Sequence, residues 1–260
     1  MSTWDCDRAA SVLLEAEESR TDRGPITDEW PELDLETAYA VQDETLRRRL
    51  DRGERLIGVK LGLTSRAKQQ RMNIASPLTA WLTDAMVLPA GDPVPQDRLI
   101  HPRAEPEIVF VMRDRLTGPG VTAATALAAV AAVCAGIEII DSRYRDFTFT
   151  LPDVVADNAS SGFFVTGPVA RSPAELDLTL EACLVEADGQ IVDSATGAAV
   201  QGHPAEALAL AANDLGRRGL AIEPGWIVLT GGMTDAVFVT PGSALAAHFT
   251  HLGSIFLSGG

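Results

Sequence analysis

The sequence predicts an α+β fold, with helices first and a long β-rich body after them. Helix caps and helical spacing dominate the first 54 residues, and from Arg55 the texture changes to alternating and β-branched runs broken by Gly and Pro. With 260 residues, 46% hydrophobic and 22% charged, the composition is that of a globular protein with ample length for a core. The division expected is an N-terminal helical region, residues 1–54, and a β-rich catalytic body, residues 55–260, working as one unit.

Residues 3–20 read as an amphipathic helix with Leu13, Leu14 and Ala16 on its apolar side. A Pro-rich connection follows, and Asp34 is placed to cap a helix that runs to Arg52 and stops at Gly53. "RLIGVKLGLT" alternates as a strand, with Gly58 and Lys60 on one face and Ile57 and Val59 on the other. Ser65 is placed to cap a short helix, "RAKQQRM". Pro- and Gly-spaced segments continue to residue 103, and "EIVFVMR" then reads as a strand. "TAATALAAVAAVC" reads as a buried helix capped by Thr122, and "AGIEIIDSRY" as the next strand. Asp188-Gly189 signals a hairpin. "HPAEALALAANDLGRRG" reads as a helix entered at His203-Pro204 and ended by Gly219. "WIVLTGG" and "SIFLSG" are the last strands.

A net charge of −15 argues against nucleic acid and anionic membrane surfaces as partners. Cys6, Cys134 and Cys183 have no metal-type spacing and suit a reducing compartment, and no basic leader or 18-residue apolar run appears. A cytoplasmic protein is expected. Of the 21 Lys and Arg residues only Lys60 and Lys68 are lysines, nine residues apart counted inclusively. Lys is a compact point charge that Arg does not replace where space is tight or a proton moves, so both are candidate functional residues.

Glu105 and Glu107 in "RAEPEIVF" project from one face of a strand, and Glu138 interrupts the apolar "GIEII". Three carboxylates without clustered His or Cys suit a hard divalent ion, Mg²⁺ or Mn²⁺. The same spacing also fits a solvated edge pair with an unrelated third acid. Asp141 and Arg143 follow Glu138 and suit an ion pair. The loop "VADNASSG" offers Asp157, Asn158, Ser160 and Ser161 as donors or as turn formers. Gly231 and Gly232 end a strand, a pattern that fits a tight turn or the approach of backbone N–H groups to a ligand. There is no nucleophile elbow, dinucleotide fingerprint or phosphate loop, and His101, His203, His248 and His251 are scattered.

Taken together, "GVKLGLTS", "HPRAEPEI", "GIEIIDSRY", "VADNASSG", "QGHP" and "VLTGG" resemble, in order, the 2-keto-4-pentenoate hydratase and 4-oxalocrotonate decarboxylase group of the fumarylacetoacetate hydrolase superfamily. The resemblance implies a mixed β-roll or sandwich behind the N-terminal helices. It also implies Mg²⁺ or Mn²⁺ held by Glu105, Glu107 and Glu138, with Lys60 and Asp84 as catalytic residues. It places substrate near Asp157, Asn158, Ser160 and Ser161, with Asp141, Arg143, Gly231 and Gly232 close by. "TSRAK", "IDSRY" and "LTGGMTDAVFV" look more like the decarboxylase branch.

That branch implies decarboxylation of 2-oxo-3-hexenedioate in the meta-cleavage route for aromatic compounds, with Lys68 or Arg66 toward the distal carboxylate. A homo-oligomer and a complex with a sister hydratase are the expected assemblies. The rivals are the hydratase itself, an acylpyruvate hydrolase and a non-catalytic partner subunit. Two departures from the family stand out. Pro106 removes a strand donor between the glutamates and requires an edge or unpaired position. Ala80 stands where a Gly is expected before "WLTD", in what reads as a loop.

Overall fold

The computed structural model describes residues 4–65, 69 and 77–260. Helix α1 spans Cys6–Ser19 and α2 spans Leu35–Asp51. Each begins at an Asp side chain that accepts a backbone N–H of the first turn, Asp5 from Arg8 and Asp34 from Thr37, both at 2.8 Å. The two helices bury Ala9, Ala10, Leu13, Ala38 and Val41 against Leu78, Tyr144, Val154 and Val155, so they pack on the β-rich body through their apolar stripes.

The strands are β1 (Leu56–Gly62), β2 (Leu78–Thr83), β3 (Arg103–Met112), β4 (Val130–Ile140), β5 (Ser161–Arg171), β6 (Ala182–Ala187), β7 (Gln190–Thr196), β8 (Ile227–Leu229), β9 (Val237–Phe238), β10 (Ala244–Phe249) and β11 (Gly253–Ser258). Further helices placed among the described residues are α3 (Ala123–Ala128), α4 (Leu151–Ala156) and α5 (Pro204–Arg217). A seven-stranded sheet has the order β2-β1-β8-β3-β4-β5, with β9 also on β3, and a four-stranded sheet has the order β11-β10-β6-β7. β1 and β8 run parallel and the other pairs antiparallel, which makes the larger sheet mixed. Ile108, Phe110, Ile137 and Val165 of the large sheet share one buried cluster with Val185, Leu245, Ala247 and Ile255 of the small one. The fold is α+β in this sense: helices, then a mixed sandwich. No described helix is long and apolar enough to cross a membrane.

Three local expectations are corrected. The Ala-rich run after Thr122 is helical only to Ala128; from Val130 the chain is β4, paired with β3 from Met112↔Val130 to Arg103↔Ile140. Helix propensity loses there to β-branched residues and to the partner that β3 needs. Ala80 lies on β2 opposite Lys60, so it belongs to a buried strand rather than a loop. β2, β9, β10 and α4 are structured where the sequence reading assigned no element.

Pro106 is unpaired on one side although β3 is an interior strand. Its carbonyl accepts from Met233 N–H at 2.9 Å, so its nitrogen points the same way, into the gap between the β8 pairing at 109–111 and the β9 pairing at 103–104. No ladder bond is lost. The Asp188-Gly189 turn (φ 49° and 79°) and the His203 cap of α5, whose Nδ1 accepts from Ala205 N–H at 3.0 Å, stand as expected.

Gly58 sits where β1 meets β8, and a Cβ there would fall 2.0 Å from the Ile227 carbonyl oxygen. Gly58→Ala is expected to lower stability by roughly 1–3 kcal/mol, read as a lower urea midpoint at constant slope. An unchanged midpoint would show that the β1–β8 contact has room to spare.

Candidate metal centre

Alternation along β3 turns Arg103, Glu105 and Glu107 to one face, and the β3–β4 register sets Glu138 directly opposite Glu105. One carboxylate oxygen from each of Glu105, Glu107 and Glu138 lies within 4.8 Å of the others. Glu107 and Glu138 are 0% and 1% exposed, on two interior strands, so the solvated-edge alternative does not hold.

Burial, then Glu138 and Glu105, pushes the Glu107 carboxyl well above the ordinary range; burial raises Glu138 against the pull of Lys60. Glu107 Oε2 accepts from Gly231 N–H at 2.7 Å. Its Oε1 accepts no hydrogen bond, and neither oxygen of Glu138 accepts one of good geometry, although Lys60 Nζ stands 3.0 Å from Oε1. The buried oxygens of Glu107 and Glu138 face one another, with the Lys60 ammonium against Glu138, and fit a hard divalent cation. The three glutamates are the residues that could hold it.

Lys60, 3% exposed on β1, is tied down from a second side, donating to the Ala159 carbonyl at 2.7 Å. That carbonyl is presented by three successive left-handed residues, Asn158, Ala159 and Ser160, at φ 48°, 50° and 58°. The loop is anchored on both flanks. Asn158 accepts from Trp81 N–H at 2.8 Å and donates to its carbonyl at 2.9 Å, replacing a strand at the β2 edge. Asp157 is bound by the Arg143 guanidinium, which also donates to the carbonyls of Ser161 (2.9 Å) and Asp157 (2.6 Å).

A cavity of about 520 Å³ opens beside the cluster. Lys60, Glu105, Arg103, Ser160 and Asp235 supply its polar side chains, and Leu63, Leu78, Ile140, Phe147, Phe149 and Val154 its apolar wall.

The structure brings Lys60, Glu105, Glu107, Glu138 and Ser160 together. Gly231 and Gly232 also adjoin the cluster, but they address protein carboxylates: Gly231 donates to Glu107, and a Cβ on Gly232 would lie 2.7 Å from the Glu105 carboxyl. Asp157, Asn158 and Ser161 do not line the cavity; they brace the loop that offers Ser160 and the Ala159 carbonyl. The expected Asp141–Arg143 pair does not form, because Arg143 takes Asp157 while Asp141 accepts from Ile100 and His101 N–H at 2.9 and 2.8 Å.

Asp84 is elsewhere. It binds Arg55 through backbone N–H and Nε, both at 2.8 Å, beyond the Leu56↔Thr83 end of the strand pair. That is four residues, roughly 13 Å, along the strand from Lys60↔Ala80. Lys68 and Arg66 lie outside the described residues. Arg103 was missed as a site residue, although its period-2 spacing to Glu105 and Glu107 in "RAEPE" places it on their face.

The profile of the fumarylacetoacetate (FAA) hydrolase C-terminal family matches residues 55–256. This chain belongs to the FAA hydrolase family. Within the family, 4-oxalocrotonate decarboxylase of Pseudomonas putida is 40% identical over 95% of this chain and 93% of its own. A 2-hydroxypent-2,4-dienoate hydratase of Pseudomonas putida is 43% identical over 80% of this chain and 95% of its own. The structure of 4-oxalocrotonate decarboxylase from Pseudomonas putida G7, complexed with magnesium and adipate, superposes with a TM-score of 0.95 at 40% identity, covering 97% of this chain and 96% of that one. The chain is thus an FAA-hydrolase-fold enzyme whose relatives on both branches carry out lyase-type reactions.

Two stability measurements probe the centre. Glu107→Gln keeps the oxygen that accepts from Gly231 and replaces a repulsive oxygen by an NH₂ donor facing Glu138. The metal-free variant is expected to melt higher than the parent, by about 1 kcal/mol of stability; a lower melting temperature would contradict the repulsion described.

Arg143→Met leaves Asp157 buried without its cation, at a cost of about 3–5 kcal/mol near pH 8. Burial already pushes the Asp157 carboxyl up to about 6, from an ordinary 3.8, against the pull of Arg143. A carboxyl raised in the folded state binds more protons than when unfolded, so its contribution to stability falls as pH rises through that window. Removing Arg143 raises it further, so the variant's deficit is expected to shrink between pH 8 and pH 5 in denaturant titrations. A deficit independent of pH would locate the loss in packing instead.

Proposed function

We propose that this chain is a Mg²⁺- or Mn²⁺-dependent decarboxylase that converts 2-oxo-3-hexenedioate (4-oxalocrotonate) to 2-hydroxypenta-2,4-dienoate. The observation that carries the reading is the composition of the cavity. Apart from the glutamate cluster and Lys60, its only other titratable side chains among the described residues are Arg103 and the exposed Asp235, and the wall is aliphatic and aromatic. Loss of CO₂ requires an electron sink and a poorly solvating pocket for the carboxylate that leaves, which the metal cluster and the aliphatic and aromatic wall supply together.

In the reaction the C5–C6 bond breaks and C6 departs as CO₂. Its electron pair forms C4=C5, the C3=C4 pair moves to C2=C3, and the carbonyl pair moves to O2. A divalent ion held by Glu105, Glu107 and Glu138 would supply Lewis-acid charge for the oxygen that collects this density. Lys60, fixed by Glu138 and the Ala159 carbonyl, is the chain's own donor for O2: it hydrogen-bonds the developing enolate and passes it a proton. Leu63, Leu78, Phe147, Phe149 and Val154 keep water from the departing carboxylate. The magnesium and adipate bound by the 40%-identical decarboxylase, a divalent ion and a six-carbon dicarboxylate, support both the metal and the substrate size.

The hydratase reading has the 43%-identical relative in its favour and is separated by one assay. With Mg²⁺, purified protein is expected to release CO₂ from 2-oxo-3-hexenedioate and to leave 2-hydroxypenta-2,4-dienoate unhydrated. Glu107→Ala is expected to abolish turnover, and Lys60→Met to lower kcat by about 10²-fold or more. Hydration of the dienoate without CO₂ release would make the chain a hydratase.

A further inference from the structure

Arg103 is built into the cavity in a manner that neither the glutamate cluster nor the fold requires. Its guanidinium lies between two aromatic rings, 4.1 Å from the centroid of Phe147 and 4.3 Å from that of Phe238. Phe147 is held against it at a backbone cost, since φ is +54° there, a region that bulky side chains seldom adopt. His101 packs on Phe147 in turn, with ring centroids 4.8 Å apart. Arg103 Nε is buried without a hydrogen-bond partner, and no carboxylate among the described residues is ion-paired with this side chain. A guanidinium clamped on both faces, with no carboxylate of its own, is oriented to receive one in its plane.

The position along β3 defines which carboxylate. Glu107 is fully buried, Glu105 lines the cavity, and Arg103 is the next residue on the same face, toward the strand's start. Alternate residues of a strand are roughly 7 Å apart, which matches the span of a six-carbon chain that begins at the glutamate cluster. We infer that Arg103 binds the distal carboxylate of the substrate and selects dicarboxylic 2-oxo acids over monocarboxylic ones, a role that rests on the 2-oxo acid end lying at Glu105 as proposed above.

The chemistry constrains how this residue acts. The carboxylate that Arg103 binds is the one that leaves as neutral CO₂, so the ion pair is strongest before the reaction and is lost during it. It therefore tightens substrate binding and adds to the barrier of bond breaking, so its removal weakens binding without slowing the chemical step. Stacking between two rings is compatible with that requirement: it fixes the guanidinium's direction with few hydrogen bonds from the protein.

The test compares two ligands that share the 2-oxo acid end and chain length, 2-oxoadipate and 2-oxohexanoate, by titration calorimetry on the Mg²⁺-loaded protein. The parent is expected to bind 2-oxoadipate roughly 10- to 100-fold more tightly, the range of a charge-assisted hydrogen-bonded pair. Arg103→Met keeps an unbranched stem between the rings; it is expected to remove that preference while leaving 2-oxohexanoate affinity unchanged. Arg103→Lys is expected to retain part of it. In turnover, Arg103→Met is expected to raise KM without lowering kcat. A preference that survives Arg103→Met, or equal weakening of both ligands, overturns the assignment. If the parent binds neither ligand, the failure lies in the 2-oxo acid reading beneath it, and the assignment falls with it.

Discussion

Everything around the centre depends on one electrostatic constraint: acidic side chains are held on the interior of a seven-stranded sheet, two of them wholly out of water, with one ammonium between them and the nearest loop. Glu107 and Glu138 are buried on adjacent interior strands, Glu105 stands directly across from Glu138, and Lys60 is paired with Glu138. Like charges at such spacing in a dry sheet raise one another's proton affinity and oppose folding unless something compensates them. The β3–β4 register is therefore not free to slip. One residue of slip would turn Arg103, Glu105 and Glu107 into the other face of the sheet and bring Ala104, Ile108 and Phe110 out of the core. Ten paired positions from Arg103↔Ile140 to Met112↔Val130 hold it.

The polar loop after α4 answers the same constraint from the other side. Lys60 is useful only if its ammonium stays beside Glu138, and the Ala159 carbonyl keeps it there. Three consecutive left-handed residues are costly for side chains with a Cβ. Arg143 and Asp157 behind the loop, and the bidentate hold of Asn158 on Trp81, supply the bonds that keep it in that shape. The loop's side chains thus act mostly on the protein, and its backbone oxygen acts on the centre.

The sequence made the centre legible because its signals are local and chemical. Glu105 and Glu107 share a face by period 2, Glu138 interrupts an apolar strand, and Lys60 is one of two lysines among many arginines. The helix caps at Asp34 and His203 and the Asp188-Gly189 turn were legible for the same reason: a short pattern specifies each. What was not legible is set by tertiary pairing. The run from Thr122 has the composition of a helix, and only the presence of β3 converts its second half to β4. β2 has neither alternation nor a turn signal, being covered on both faces. The partner of Arg143 lies fourteen residues on, not two back, and no spacing rule distinguishes Asp157 from Asp141. Asp84 was carried by a resemblance in "LTD", whereas its Arg55 partner shows it belongs to the strand end.

Decarboxylase and hydratase relatives match this chain at 40% and 43% identity, a difference too small to carry a reaction type. The physical reason lies in the chemistry: both reactions develop negative charge on the same 2-oxo oxygen, so both are served by a divalent cation held by carboxylates and an ammonium beside it. The reactions part company only at the far end of the substrate, where one must expel a carboxylate and the other must admit water. That end is met by a few cavity side chains: an aromatic and aliphatic wall, and a guanidinium clamped between Phe147 and Phe238. In the proposed reaction a wall that solvates poorly raises the energy of the bound carboxylate, while the Arg103 guanidinium lowers it enough for the substrate to bind. Under the proposed reading, that far end rather than the metal centre is where the two reactions part.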